Sequence, residues 1–378
     1  MIRSLQHPSV NWVDGMQISE THYTAQERYI SDSLRDVTSF KINRYNYGLL
    51  PAEGIDSENS IFDIYATATN DVQLNIKKCH AVTAAGYRID IENLPVNINS
   101  LSGMVLGEMQ QSYYVIITVN PFERIPTGDF DPEEIPPRHL FVKPHYHIQL
   151  VPVTAVNSDH TAGNYLVAGK VVFSNGIISA DASFVPPCTS IDSHPALLKH
   201  YHDCIKYMAL LQQYATAILR KSNHKSQHPV ITRCVADICR VMLSQISSNY
   251  FQLRNMASQL PPVHFISSFA NLAHSLYICI DTMQDAEKEI TLNYCFEWSN
   301  IAPHVLMKSL SSTVEINYNH YRIGDYMKTI QDMLLNLHTI WEKLSNLEYI
   351  GQQRENIIVQ EEAITQTVKT NKGWSPFD

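Results

Sequence analysis

The sequence predicts an α+β, multidomain protein in which a β-sandwich is followed by an α-helical bundle. Three observations predict it. Residues 40–185 carry short apolar runs broken by Gly, Asn, Asp and Pro, the texture of a sandwich or barrel. Residues 197–349 carry apolar positions at alternating four- and three-residue steps, the seam of packed helices. Between them stands FVPPCTSIDSHPAL (184–197), a Pro pair followed by a helix-start signal at Ser193 and Pro195. The predicted division is residues 1–188 for an N-terminal helix and sandwich, 189–350 for the bundle, and 351–378 for a polar tail.

A short helix is expected first, around Ser19–Thr38, with Glu20 and Glu27 in polar positions. Strands are expected at Ile61–Ala66, Val72–Ile76, Tyr87–Ile91, Tyr113–Val119, Leu140–Val142, Ile148–Val151 and Leu166–Phe173. Tyr87, Ile89 and Ile91 alternate with Arg88, Asp90 and Glu92, so that strand has one wet face. The stretch PTGDFDPEEIPPRH (126–139) holds four prolines and an acidic cluster, and reads as a long exposed loop. In the helical half Leu197, Tyr201, Cys204, Met208, Leu211, Ala215 and Ile218 form one seam. Ile231, Val235, Ile238, Met242 and Ile246 form a second; Phe265, Phe269, Leu272, Leu276, Cys279 and Met283 a third. Tyr326, Ile330, Met333, Leu337, Ile340, Leu344 and Leu347 form a fourth. Lys288–Tyr321 is less regular and interrupts the bundle, with Trp298 and Pro303 marking two short helices. Such seams either close a bundle within one chain or pair helices between subunits, and spacing alone leaves both open.

Composition narrows the function classes. Of 378 residues only 17% are charged, fewer than the roughly 25% of ordinary soluble proteins, so much of the surface is uncharged polar or covered by partners. With 44% hydrophobic residues the chain is built to fold rather than to stay disordered. A net charge of −9 opposes broad nucleic-acid binding, which needs clustered Lys and Arg, and opposes attraction to an anionic membrane. No window reads as a membrane span or signal peptide, so direct membrane insertion is not expected and the protein reads as cytoplasmic. The seven cysteines include no CxxC pair.

Sites of chemistry are scarce. There is no GxxxxGK[ST], GxGxxG after a strand, GxSxG or HExxH, and Gly169–Lys170 lacks the glycine loop that cradles phosphates. His145 and His147 would share one face of a strand, which makes a histidine-based metalloenzyme the remote alternative. His200 and His202 diverge on a helix. Neither pair has a further ligand at metal spacing, and Asp131, Glu133 and Glu134 read as a solvated patch. No catalytic residue, cofactor or metal is expected, and the chain does not read as an enzyme.

The most distinctive stretch is VNWVDGMQISETHYTAQERYISDSLRD, residues 10–36. It resembles the opening of the TssK family of type VI secretion baseplate subunits, which runs W-x-E-G-M, a P-Q-H-F-like step and then a helix with D-R-Y. Trp12, Gly15 and Met16 match the first element, with Asp14 in place of the usual acid. His22–Tyr23 stand where His-Phe would be, Arg28–Tyr29 match the last element, and Tyr47–Gly48 resembles the aromatic-Gly step that begins the next strand. Leu150–Val153, the residues 175–184 and Pro186–Pro187 resemble the passage that leads from the family's β domain into its helical neck.

The resemblance implies a homotrimeric structural adaptor without catalysis. Its β "shoulder", like that of siphophage receptor-binding proteins, would hold the wedge proteins TssF and TssG, and its neck would lead toward the membrane-side complex. It would then lie at the inner face of the cytoplasmic membrane. Trp12, Gly15, Met16, His22, Tyr23, Arg28 and Tyr29 would define the shoulder or bind the wedge, Trp12 standing either at that interface or in the core. Leu197, Tyr201, Met208, Leu211, Ile218, Phe269, Leu276, Ile330, Leu337 and Leu344 would form the neck bundle or a trimer core. After Gly351 the sequence is too short for the family's head domain, which puts membrane-side docking in doubt and fits a divergent subtype of the kind described in Bacteroidetes. Trp374 and Phe377 are the candidates for a short docking element there, with a frayed terminus as the alternative reading. A phage or tailocin receptor-binding protein with a cell-surface ligand is the alternative function.

Overall fold

The computed structural model describes residues 4–51, 61–66, 72–98, 111–156, 163–174, 177–222 and 228–352. Helix α1 spans Glu20–Ser39 and precedes eight strands: β1 Gly48–Leu49, β2 Phe62–Ala66, β3 Val72–Val82, β4 Arg88–Ile98, β5 Gln111–Asp131, β6 Arg138–Pro152, β7 Tyr165–Ser174 and β8 Ile177–Ala180. In one four-stranded sheet β3 is central, with β1 and β2 along one side and β4 along the other; the second has the order β6-β5-β7-β8. All named strand pairs are antiparallel. The two sheets face each other over Leu74, Ile76, Ile89, Val115, Ile117 and Leu166, all fully buried.

Burial explains the strand patterns. In β4, Ile89 and Ile91 point into the sandwich while Arg88, Asp90 and Glu92 face water. In β7 the run Tyr165–Ala168 is buried on both faces. Leu166 and Ala168 join the sandwich core, whereas Tyr165 and Val167 pack with Ile116, Phe184 and Tyr321 toward the helical half. A strand covered on both sides loses its alternation and reads as a continuous apolar run.

The segment 126–139 departs from the loop expected of it. β5 continues to Asp131 and β6 begins at Arg138, so the connection is only residues 132–137. The expected strands at Leu140–Val142 and Ile148–Val151 are parts of the one strand β6. Residues 111–119 lie between β6 and β7, but beyond Asn120 the chain pairs with β6 alone, through Arg124↔Pro144, Pro126↔Val142 and Phe130↔His139. The result is a two-stranded arm projecting from the sheet. Its strands are held by backbone hydrogen bonds, which a side-chain pattern does not report. Its prolines and acidic residues are tolerated because both of its outer edges are free of neighbours in the sheet.

Six helices follow among the described residues: α2 Pro195–Ser222, α3 Pro229–Asn255, α4 Pro262–Asp281, α5 Asp285–Ser299, α6 Pro303–Val314 and α7 Ile323–Asn346. Proline opens α2, α3, α4 and α6, where its missing N–H would have no intrahelical partner anyway. The residue immediately before α2 is His194 rather than the expected Ser193; its Nδ1 accepts the Ala196 N–H at 3.2 Å, and Ser193 closes a preceding turn. Helices α5 and α6, expected to interrupt the bundle, pack within it: α5 against α3 and α7, α6 against α4 and α7. α4 is long and apolar enough to cross a membrane, contrary to the expectation of no such window, but its Phe265, Ile266, Phe269, Leu272 and Leu276 are buried in the bundle.

The two halves share one core. Leu49 bridges to Cys188, and Gly48, at φ +118°, lies so close to Pro187 that a Cβ would stand 2.0 Å from its carbonyl oxygen. The seam between sheet and bundle is aromatic. His320 donates through Nε2–H to the Tyr47 carbonyl at 2.8 Å, leaving Nδ1 to accept the Tyr318 hydroxyl at 2.8 Å, and the Tyr165 and Tyr321 hydroxyls meet at 2.9 Å. A neutral imidazole has one donor and one acceptor nitrogen, and both are used here. Burial drives the His320 pKa down to about 4, against backbone hydrogen bonds at Tyr47 and Cys188 that raise it.

Candidate functional site

The N-terminal segment builds its surface from a turn. Val13–Met16 closes through the Met16 N–H to the Val13 carbonyl at 3.2 Å, and Gly15 takes φ +80°. Nothing lies within 4 Å of a Cβ placed there, so glycine serves the backbone angle rather than a tight fit. Ser19 then caps α1 with His22 in the role usually taken by Glu or Gln: the Ser19 N–H donates to His22 Nδ1 at 3.2 Å. The Trp12 ring, 47% exposed, lies 6.2 Å from His22 and 6.4 Å from Tyr23. Met16, His22, Arg28 and Tyr29 are half-buried and Tyr23 is exposed.

α1 is amphipathic with its faces reversed. Asp32 is fully buried and Arg35 nearly so, while Tyr23, Ile30, Leu34 and Val37 are 63%, 49%, 63% and 63% exposed. At about 100° per residue these four lie within roughly 60° of one another, and Asp32 lies diametrically opposite. The buried pair ties the helix to the extended chain before it. The Asp32 carboxylate accepts the backbone N–H groups of Gln6 and His7, and the Arg35 Nε at 2.9 Å; Arg35 also donates to the Ser4 carbonyl at 3.3 Å. Burial alone would raise the Asp32 pKa, but these donors and the guanidinium charge outweigh it and hold the carboxyl below its ordinary value.

The projecting arm stands beside this helix. Arg124 near the arm's base pairs with Glu27 of α1, and the Phe122 ring packs against His7 at a 57° tilt with ring centroids 4.4 Å apart. Phe130, Ile135 and Phe141 farther out are 55%, 95% and 65% exposed. One side of the β half therefore presents Trp12, the α1 stripe and the arm. Monomeric soluble proteins rarely leave apolar residues uncovered in such a group. Ile30, Leu34 and Val37 went unread in the sequence, although their 4-3 spacing after Tyr23 was visible there.

The other predicted residues lie elsewhere. Leu197, Tyr201, Met208, Leu211, Ile218, Phe269, Leu276, Ile330, Leu337 and Leu344 are buried inside the single chain. Trp374 and Phe377 lie outside the described residues. His145 Nδ1 is 3.0 Å from Glu123, and His200 Nδ1 is 2.9 Å from the Gln331 side chain. Among the described residues no group of three His, Cys, Asp or Glu is placed to hold a metal ion. Each cysteine with a resolved shift has its thiol pKa raised, with burial the leading cause. Raised thiols are poor nucleophiles.

No family model and no curated protein matches the chain. Solved structures do. A crystal structure of TssK is similar over 88% of this chain and 69% of that one, with a TM-score of 0.47 and 12% identity. TssK in a type VI secretion TssK–TssF–TssG baseplate subcomplex is similar over 89% of this chain and 99% of that one, with a TM-score of 0.48 and 14% identity. TssK from the type VI secretion system of EAEC, in complex with a nanobody, is similar over 84% and 99%, with a TM-score of 0.48 and 15% identity.

Proposed function

We propose that this chain is a non-catalytic adaptor of a type VI secretion baseplate. In this reading it is a trimer at the cytoplasmic side of the membrane complex, and the outer face of α1 docks the wedge proteins TssF and TssG. The observation that carries the reading is the reversed helix. A buried Asp32–Arg35 pair fixes α1 to the body while Tyr23, Ile30, Leu34 and Val37 are left uncovered, an arrangement that serves association rather than folding. The residues that resemble the TssK opening, Trp12 through Tyr29, form the turn that leads into this helix and its first half. Covering side chains that are half to two-thirds exposed would contribute about 1 kcal/mol each, a part of the interface energy that Trp12 and the arm would add to.

The test is coexpression of the full chain with the TssF and TssG proteins of its own genome, followed by size-exclusion chromatography with light scattering. The expected result is a stable complex that contains three copies of this chain per adaptor unit. The double substitution Leu34→Asp/Val37→Asp should abolish that complex while leaving the fold intact by circular dichroism. A monomer at micromolar concentration, or a wild-type chain that ignores both wedge proteins, would remove the reading.

A further inference from the structure

The hairpin of α3 and α4 is almost free of charge. Of the residues 241–280 only Arg254 is charged, where the chain's overall 17% would place about seven. Arg254 stands at the turn end of the hairpin and is held on its own helix, donating to the Tyr250 hydroxyl at 3.1 Å.

Burial within the chain does not account for this. α4 is long and apolar enough to cross a membrane, yet only 44% of its apolar stretch is buried in the bundle. Ser244, Ser248 and Phe251 of α3 and Ser267, Asn271 and Ile278 of α4 are exposed. At about 100° per residue each set lies along one stripe of its helix. The two stripes flank an open groove of about 790 Å³, whose walls include Ser244 and Gln245 on one side and Ser275 and Ile278 on the other. A helix face turned to water ordinarily carries charges, whereas the core of a protein–protein interface is depleted of them.

Charge and area select a second copy of this chain as the occupant. With a net charge of −9, two copies repel wherever ordinary acidic surface meets. A face without charges meets a copy of itself at no such cost, and offers a strongly charged partner nothing to pair with. α4 has 20 residues. At 1.5 Å per residue and 8–10 Å between axes, two such helices side by side present about 600 Å². Two faces of that size bury about 1,200 Å², the lower limit of specific interfaces.

We propose that the outer face of α3 and α4 is where copies of this chain meet, with the groove receiving side chains of the neighbouring copy. In a ring of three, the α3 stripe of one copy faces the α4 stripe of the next, a heterologous contact that closes. This assignment rests on the reading of the chain as a trimer; α1 stays outside the contact.

The test is light scattering after size-exclusion chromatography at micromolar concentration. It compares the full chain with Asn271→Glu/Ile278→Glu and with a control, Ala209→Glu/Gln213→Glu, at exposed positions of α2. Both pairs add the same charge, so only its place differs. The expected result is an assembly for the full chain and the control, and a monomer with an unchanged circular dichroism spectrum for Asn271→Glu/Ile278→Glu, its dissociation constant raised about a hundred-fold or more. Ser244→Glu/Ser248→Glu should act in the same way, and keeps the test valid should the α4 pair fail to fold. An unchanged copy number in both pairs would overturn the proposal and leave the trimer reading standing. The face would then belong to lipid if the pairs lose flotation with phosphatidylethanolamine–phosphatidylglycerol vesicles, and to the wedge if they lose TssF or TssG instead. A monomeric full chain would overturn the trimer reading and this assignment together.

Discussion

Replacing Asp32 by Ala should loosen α1 far more than replacing Leu34 by Asp, the reverse of what an ordinary amphipathic helix would show. The Asp32 carboxylate is fully buried and satisfies two backbone N–H groups as well as Arg35. Its removal takes the nearer carboxylate, at 2.9 Å, from a guanidinium that is 2% exposed and leaves it the more distant Asp36 carboxylate at 4.0 Å. Removing one member of a buried pair costs up to roughly 3–5 kcal/mol when the remaining charge stays desolvated, and Asp36 at 4.0 Å keeps the loss toward the lower end, about 3 kcal/mol. The unsatisfied N–H groups add to the same loss rather than standing apart from it. At Leu34, 63% exposed in the isolated chain, a carboxylate meets water, and the expected change is within about 0.5 kcal/mol. Because α1 is a peripheral helix, the loss should appear as local opening before global unfolding. Hydrogen exchange of the α1 amides is therefore the assay. Asp32→Ala should speed exchange across residues 20–39 about a hundred-fold or more, since 1.36 kcal/mol is a factor of ten. Leu34→Asp should leave it within about three-fold. If Leu34→Asp loosens the helix as much as Asp32→Ala, the reversed orientation of α1 is refuted. Replacing both partners, as Asp32→Leu/Arg35→Met, should cost less than Asp32→Ala alone.

Two further outcomes follow from buried groups at the junction of the halves. His194 and His320 are both held neutral, with pKa values driven down to about 4 mainly by burial. The unfolded chain takes up their protons near the ordinary value of about 6.5, so stability falls as pH drops from 6.5 toward 4. At pH 5 the loss should be about 2 kcal/mol per histidine relative to pH 7.5, read from urea midpoints; a flat profile over that range would contradict it. Gly48→Ala should destabilise by about 3 kcal/mol or more in the same urea assay, because its Cβ would stand 2.0 Å from the Pro187 carbonyl and its φ of +118° excludes a side chain. A midpoint unchanged by that substitution would mean that Pro187 is free to move away.

Much of the fold is legible in the residues themselves. The bundle could be read because its helices bury apolar positions at a period that the backbone imposes: Leu197 through Ile218 in α2 and Tyr326 through Leu344 in α7 are buried at every seam position. The strands of the sandwich could be read where one face is wet, as in β4. Of the arm only Leu140–Val142 could, because backbone pairing between β5 and β6 makes residues 126–131 and 138–139 regular while their side chains stay polar, proline-rich or exposed.

The candidate site divides along the same line. The opening motif, from Trp12 to Tyr29, stands out as residues, and the spacing of Tyr23, Ile30, Leu34 and Val37 marks an apolar stripe on a helix. A stripe at helical spacing announces a face that leaves water, and says nothing about whether the chain's own core or another molecule receives it. Only the tertiary structure decided that. It placed Gln6 and His7 where their N–H groups reach Asp32 and turned the charged side of α1 inward, because a buried carboxylate must find its donors before a helix can settle. The apolar side was left facing out.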